Sequence, residues 1–118
     1  MKATNAFAPL PNAWLPNPGR NLAAAGSTLG TAYQIPAGQD LTHVATCASG
    51  AGVNLPPNGV SPNEEYIVAN HGVNACAVYP GTATGTMGTA AAGVAYSLAA
   101  GKTGYFLYLG TGQWTTNP

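Results

Sequence analysis

The chain has 118 residues, and only Lys2, Arg20, Lys102, Asp40, Glu64 and Glu65 carry charge at neutral pH, 5% of the sequence with a formal net charge of zero. Three scattered basic residues make no patch for phosphate, which excludes a nucleic-acid partner. No apolar run approaches the roughly 20 residues that span a bilayer, so no membrane partner is expected.

The length corresponds to one domain, or one domain with a tail. With so little charge, the surface must be covered by Thr, Asn, Ser, Gly, Ala and backbone. Such a surface has little repulsion to keep copies apart and suits packing against other protein.

Residues 1–39 read as an extended Pro/Asn-rich arm. Pro9, Pro11, Pro16, Pro18 and Pro36 block helix continuation and ladder donation. Phe7, Leu10, Trp14, Leu15, Leu22 and Tyr33 are spaced along it like anchors, in contrast to the aromatic-poor composition of solvated linkers. Set against the plain reading of a loose chain end, the sharper expectation is an arm that lies on a neighbouring subunit and becomes ordered there. Leu22–Ala25 has the composition for one helical turn, stopped by Gly26. Lys2 begins like a signal peptide, but Asn5, Pro9, Pro11 and Asn12 interrupt any apolar core, so synthesis and residence in the cytosol are expected. Cys47 and Cys76 would then be reduced thiols, and their pairing is left open.

From Asp40 to Pro118 the pattern is strands separated by turns. Leu41–Ala48 and Gly52–Leu55 are the first two candidates, the second ended by Pro56-Pro57-Asn58-Gly59. In Glu65–Asn70, Tyr66, Val68 and Asn70 share one side and Glu65, Ile67 and Ala69 the other. The corner Asn70-His71-Gly72-Val73-Asn74 and the run Ala75–Tyr79 complete what reads as a β-hairpin ended by Pro80-Gly81. A second hairpin is expected from Val94–Leu98 and Thr103–Leu109, and Gly110-Thr111-Gly112 turns the chain into Gln113–Thr116. Between Pro80 and Val94 the small residues predict a loop with one short edge strand at Thr86-Met87. No tandem repeat is visible. The fold expected is all-β, a small antiparallel β-sandwich or barrel of jelly-roll or tulip-like type. A core this small rarely supplies more than roughly 3–5 kcal/mol, and the glycines raise the entropy lost on folding, which favours a homo-oligomer.

His43, Cys47, His71 and Cys76 are zinc-ligand types, but their spacing matches no metal signature, so neither metal nor cofactor is expected. Glu64 and Glu65 point to opposite faces of a strand and make no acid/base pair, with Asp40 placed elsewhere. No serine has a nucleophile-elbow frame. Gly81-Thr82-Ala83-Thr84-Gly85-Thr86 lacks the lysine and the helix of a phosphate loop. The chain is not expected to be an enzyme. Tyr66, Tyr79, Tyr96, Tyr105 and Tyr108 read as core and contact residues rather than a carbohydrate surface.

The order Ile67-Val68-Ala69-Asn70-His71-Gly72, Ala77-Val78-Tyr79-Pro80, Gly85-Thr86-Met87-Gly88, Leu98-Ala99-Ala100-Gly101, Phe106 and Trp114 resembles a small β module of tailed-bacteriophage virion proteins, often head decoration (cement) proteins. The resemblance covers roughly Glu65 to Thr116 and brings no catalytic residue. It implies a homotrimer or small ring on the outer capsid surface of the virion, made in the host cytoplasm, with the major capsid protein as partner. Phe7, Leu10, Trp14 and Leu15 are then the expected capsid anchors, and Tyr79, Tyr105, Tyr108 and Trp114 the expected core or subunit contacts. The alternative from the same module is a receptor- or glycan-binding tip on a tail fibre or spike.

Overall fold

The computed structural model describes residues 18–117, which are all-β: ten strands and, among the described residues, no helix. The strands are β1 (Gly19–Ala23), β2 (Tyr33–Gln34), β3 (Leu41–Thr46), β4 (Gly52–Asn54), β5 (Glu65–Asn70), β6 (Cys76–Tyr79), β7 (Thr86–Met87), β8 (Tyr96–Leu98), β9 (Thr103–Gly110) and β10 (Gln113–Asn117). They form a six-stranded sheet of order β1-β3-β5-β9-β10-β7 and a four-stranded sheet of order β2-β4-β6-β8.

From β1 to β9 the chain crosses from one sheet to the other with every strand. In each sheet the first three strands stack in parallel: β1 on β3 on β5, and β2 on β4 on β6. Partners such as Val44 and Asn70, or Tyr33 and Val53, lie roughly 20–26 residues apart, the length of one coil. This is a short flattened β-solenoid. β8 and β9 run antiparallel against β6 and β5 and close the stack, and β10 folds back along β9.

The antiparallel sandwich or barrel is thus corrected to a coiled, largely parallel arrangement. Neither expected hairpin forms: β5 and β6 belong to different sheets, as do β8 and β9. Only the Gly110-Thr111-Gly112 corner joins hydrogen-bonded neighbours, β9 and β10. Leu22 and Ala23 extend within β1 rather than turning as a helix. The segment read as an arm supplies strands to both sheets from Gly19 onward; residues 1–17 lie outside the described residues.

The corners explain the path. Asn70, fully buried at the end of β5, donates its amide to the carbonyls of Asn74 (2.9 Å), Leu98 (3.1 Å) and Ala99 (3.3 Å), and its Oδ1 accepts from the Gly72 N–H at 2.9 Å. The corner is therefore built around an inward-pointing amide, and it carries the chain across the core. It also stacks on the corner after β3. Asn74 donates to the Cys47 carbonyl at 2.9 Å, and a Cβ on Gly72 would stand 2.8 Å from the Cys47 nitrogen. At the other rim Asn54, at the end of β4, bridges the Gln34 side chain of the previous coil (2.9 Å) and both backbone groups of Gly81 in the next. Satisfying buried backbone groups with side-chain amides is what allows corners to be stacked away from water.

The core lies between the sheets. Val44, Tyr66, Val68, Phe106, Met87 and Trp114 come from the larger sheet, and Val53, Cys76, Val78 and Leu98 from the smaller. Trp114 packs edge-on against Tyr66 within the larger sheet, ring centroids 5.8 Å apart, and Phe106 packs against Tyr96 of the smaller sheet at 5.7 Å, which ties sheet to sheet. Ile35, Val53 and Met87 are buried, whereas Val94, Tyr105 and Leu109 are exposed.

Candidate functional site

Three features carry chemistry or contact potential. The first is the outer face of the larger sheet. Alternation that turns Tyr66, Val68, Gly104 and Phe106 inward turns Ile67, Tyr105, Leu107 and Leu109 outward. Register then aligns Leu41, Ile67 and Tyr105 in one row across β3, β5 and β9, with Glu65, Leu107 and Thr115 in the next. Tyr105 is 39% and Leu109 51% exposed, so the face presents apolar groups to solvent with Glu65 as its one carboxylate.

The second feature is a cleft of about 570 Å³ lined by Ala37, Gly38, Asp40, Gly59, Glu64 and Glu65. It holds all three carboxylates of the chain. Sequence reading sets Asp40 apart from the Glu pair, but β3 and β5 are parallel neighbours, so their starting ends lie side by side. The Ile67 N–H donates to the Asp40 carbonyl at 2.7 Å. Burial first, and the neighbouring Glu64 second, push the Asp40 carboxyl up from its ordinary range. The Gly38 N–H, at the cleft wall, donates to the hydroxyl of buried Tyr66 at 2.8 Å. Burial raises that phenol, partly offset by the same bond.

The third is the group of four zinc-ligand types, which the fold divides into two pairs. His43 and His71 meet on the outside, with His43 Nε2 2.8 Å from His71 Nδ1 and ring centroids 4.6 Å apart. His43 Nδ1 accepts the backbone N–H of Asn21 at 3.1 Å. A neutral His43 that accepts at Nδ1 carries its proton on Nε2 and donates it to His71, so a metal bound between these rings would have to displace that proton. Cys47 and Cys76 are buried inside. The Cys47 thiol donates to the Ala51 carbonyl at 3.4 Å, and burial, with Cys47 alongside, pushes the Cys76 thiol well up, away from nucleophilic thiolate. Among the described residues no group of three or more His, Cys, Asp or Glu is arranged to hold a metal ion.

The sequence-predicted contact residues fall in different places. Phe7, Leu10, Trp14 and Leu15 lie outside the described residues. Trp114 is in the core, and half-buried Tyr108 packs on it with centroids 4.9 Å apart while its hydroxyl accepts the Gly112 N–H at 3.0 Å. Tyr79 is half-buried and its hydroxyl donates to the Ser27 carbonyl at 3.0 Å, tying β6 to the β1–β2 connection. Tyr105 alone of the four stands on the open outer face. None of the described helices spans a membrane, there being none. Comparison with protein-family models, with curated proteins and with solved structures finds no match.

Proposed function

We propose that the chain is a structural binding module that lays the outer face of its larger sheet on another protein assembly, in the manner of a head decoration protein on a phage capsid. The observation that carries the reading is the flat outer row of Leu41, Ile67 and Tyr105, flanked by Leu107 and Leu109, on a surface almost devoid of charge. Exposed apolar area of this kind is stabilised by a protein partner, and a near-neutral contact is insensitive to salt. The partner in this reading is the major capsid protein, engaged by a homotrimer whose several contacts reinforce one another, with Phe7, Leu10, Trp14 and Leu15 as additional anchors. Binding only the assembled shell would stabilise that shell by linkage.

The test is co-sedimentation with expanded empty capsids, using wild type and Tyr105→Glu. Wild type should decorate and raise the melting temperature of the shells. The variant should fold normally, its side chain being solvent-facing, and bind at least about tenfold more weakly, as expected for a charge placed in an apolar contact. Equal occupancy by the variant would sink the assignment of this face.

A second reading, glycan binding at a fibre or spike tip, is favoured by the cleft. Asp40, Glu64 and Glu65 offer acceptors for sugar hydroxyls beside a shallow floor of Gly38 and Gly59. Retention on purified host envelope glycans, abolished in Asp40→Ala/Glu64→Ala, would move the function to that site.

A further inference from the structure

We propose that Cys47 and Cys76 are a latent disulfide, which a small-molecule disulfide oxidant turns into a covalent staple between the corner after β3 and the start of β6. Both residues are buried, and the chain holds only these two cysteines, so an intramolecular bond has one connectivity. Buried cysteine is ordinarily a small hydrophobe. What sets this pair apart is where the Cys47 sulfur lies.

Cys47 Sγ stands 3.6 Å from the Ala75 carbonyl oxygen and 3.4 Å from that of Ala51. The Ala75 carbonyl belongs to the peptide unit that enters Cys76. The Ala51 carbonyl accepts the Ala77 N–H at 3.1 Å, and that N–H belongs to the peptide unit that leaves Cys76. The Cys47 sulfur is thus bracketed by both peptide units of Cys76, whose side chain shares the core with it, and the two thiols are hydrogen-bonding neighbours. Asn74, two residues before Cys76, donates to the Cys47 carbonyl at 2.9 Å and holds the two corners together independently of the sulfurs. Side chains placed in this way can be bridged with little movement of the backbone. Loss of the thiol hydrogens also strands neither the Ala48 nor the Ala51 carbonyl beside Cys47, because these keep the Ala51 and Ala77 N–H groups as donors.

Access sets the order of events. Ala48, Ser49 and Gly50 beside Cys47 are exposed, whereas Cys76 opens a strand in the smaller sheet. Burial, with Cys47 alongside, also pushes the Cys76 thiol well up. Opening of the exposed corner therefore brings Cys47 to the oxidant first. The Cys47 thiolate attacks one sulfur of the small disulfide, breaks its S–S bond and releases one thiolate. Cys76 then attacks the Cys47 sulfur of the mixed disulfide and releases the second. The two protons lost by the protein pass to the two released thiolates; the cysteines give up two electrons and the small disulfide gains them. The new bond joins the larger sheet to the smaller and closes the loop of residues 47–76, which contains β4 and β5. In a reducing cytosol the pair stays as thiols, so the staple forms on transfer to an oxidising compartment.

This inference is independent of the proposed docking role. The test equilibrates the full chain with mixtures of reduced and oxidised glutathione, once refolded from urea into buffer and once kept unfolded in urea. Starting from the unfolded chain removes any barrier set by burial. Free thiols are trapped by alkylation, and intact mass separates the intramolecular bond from glutathione adducts and linked dimers. The equilibrium constant for the intramolecular bond should be about 100-fold larger in the refolded chain than in urea, the same factor by which the bond strengthens folding. A ratio below about tenfold, or glutathione adducts or dimers as the only oxidised products of the refolded chain, would overturn the proposal.

Discussion

Replacing Asn70 with Asp changes one NH2 group to oxygen and leaves shape intact, yet it should be among the most damaging substitutions this fold can receive. The amide nitrogen faces three carbonyl oxygens, those of Asn74, Leu98 and Ala99, at 2.9, 3.1 and 3.3 Å, inside a site with no solvent exposure. A carboxylate there would have no donor but the Gly72 N–H. The cheaper course is to stay protonated, giving one O–H donor in place of two. Holding a carboxyl of ordinary pKa about 3.9 neutral at pH 7 costs about 4 kcal/mol, at 1.36 kcal/mol per unit. The lost hydrogen bond adds about 1 kcal/mol. The expected loss is therefore about 5 kcal/mol at pH 7, comparable with the whole stability of a small domain. The introduced group has a folded-state pKa above its unfolded value. Its protonated form is free of penalty below the unfolded pKa, and stability is lost as pH rises. At pH 4 protonation costs only a few tenths of a kcal/mol, so the loss shrinks to about 1–2 kcal/mol. Urea unfolding, followed by the fluorescence of buried Trp114 at pH 4 and pH 7 with wild type beside it, measures both values. A loss that is the same at both pH values, or below about 2 kcal/mol at pH 7, would refute the buried-amide account of this corner.

Two further predictions concern polar groups that the fold does not fully accommodate. Thr116 Oγ1 is buried without a hydrogen-bond partner, so Thr116→Val, which keeps the shape and removes the hydroxyl, should leave stability unchanged or raise it by up to about 1–2 kcal/mol in the same urea assay. A destabilisation would mean that the hydroxyl is satisfied by water. Asp40 has a raised carboxyl because of burial and Glu64, so its charge opposes folding above the ordinary value of 3.8. Asp40→Asn should raise the melting temperature by about 1–3 °C at pH 7, a small effect because solvent screens this partly exposed group, and should do nothing near pH 3. An equal effect at both would assign the change to packing rather than charge.

The strands themselves are legible in the sequence. Leu41–Thr46, Gly52–Asn54, Glu65–Asn70, Cys76–Tyr79, the short Thr86-Met87 edge and Thr103–Gly110 all fall where alternation and turn residues place them. This is local information, since a period of two and a Pro or Gly stop depend on nothing distant. How strands pair depends on where each corner sends the chain. Asn70-His71-Gly72-Val73-Asn74 has the composition of a hairpin turn, but the buried Asn70 amide binds Leu98 and Ala99 from a later part of the chain, and Gly72 sits against Cys47 of an earlier coil. Those partners turn a reversal into a crossing, and no short window contains them. The coils also share no residue-by-residue repeat: the stacked rim positions Gln34, Asn54 and Tyr79 are three different residue types. The candidate sites follow the same division. The residue types of the carboxylates and histidines can be read from the chain, but parallel stacking of β3 on β5 alone brings Asp40 beside Glu64 and His43 beside His71. The sequence by itself determined a charge-poor all-β protein, through its composition, its alternation and its turn residues. Tertiary structure decided that it coils, because the hydrogen bonds that direct each corner come from neighbouring coils.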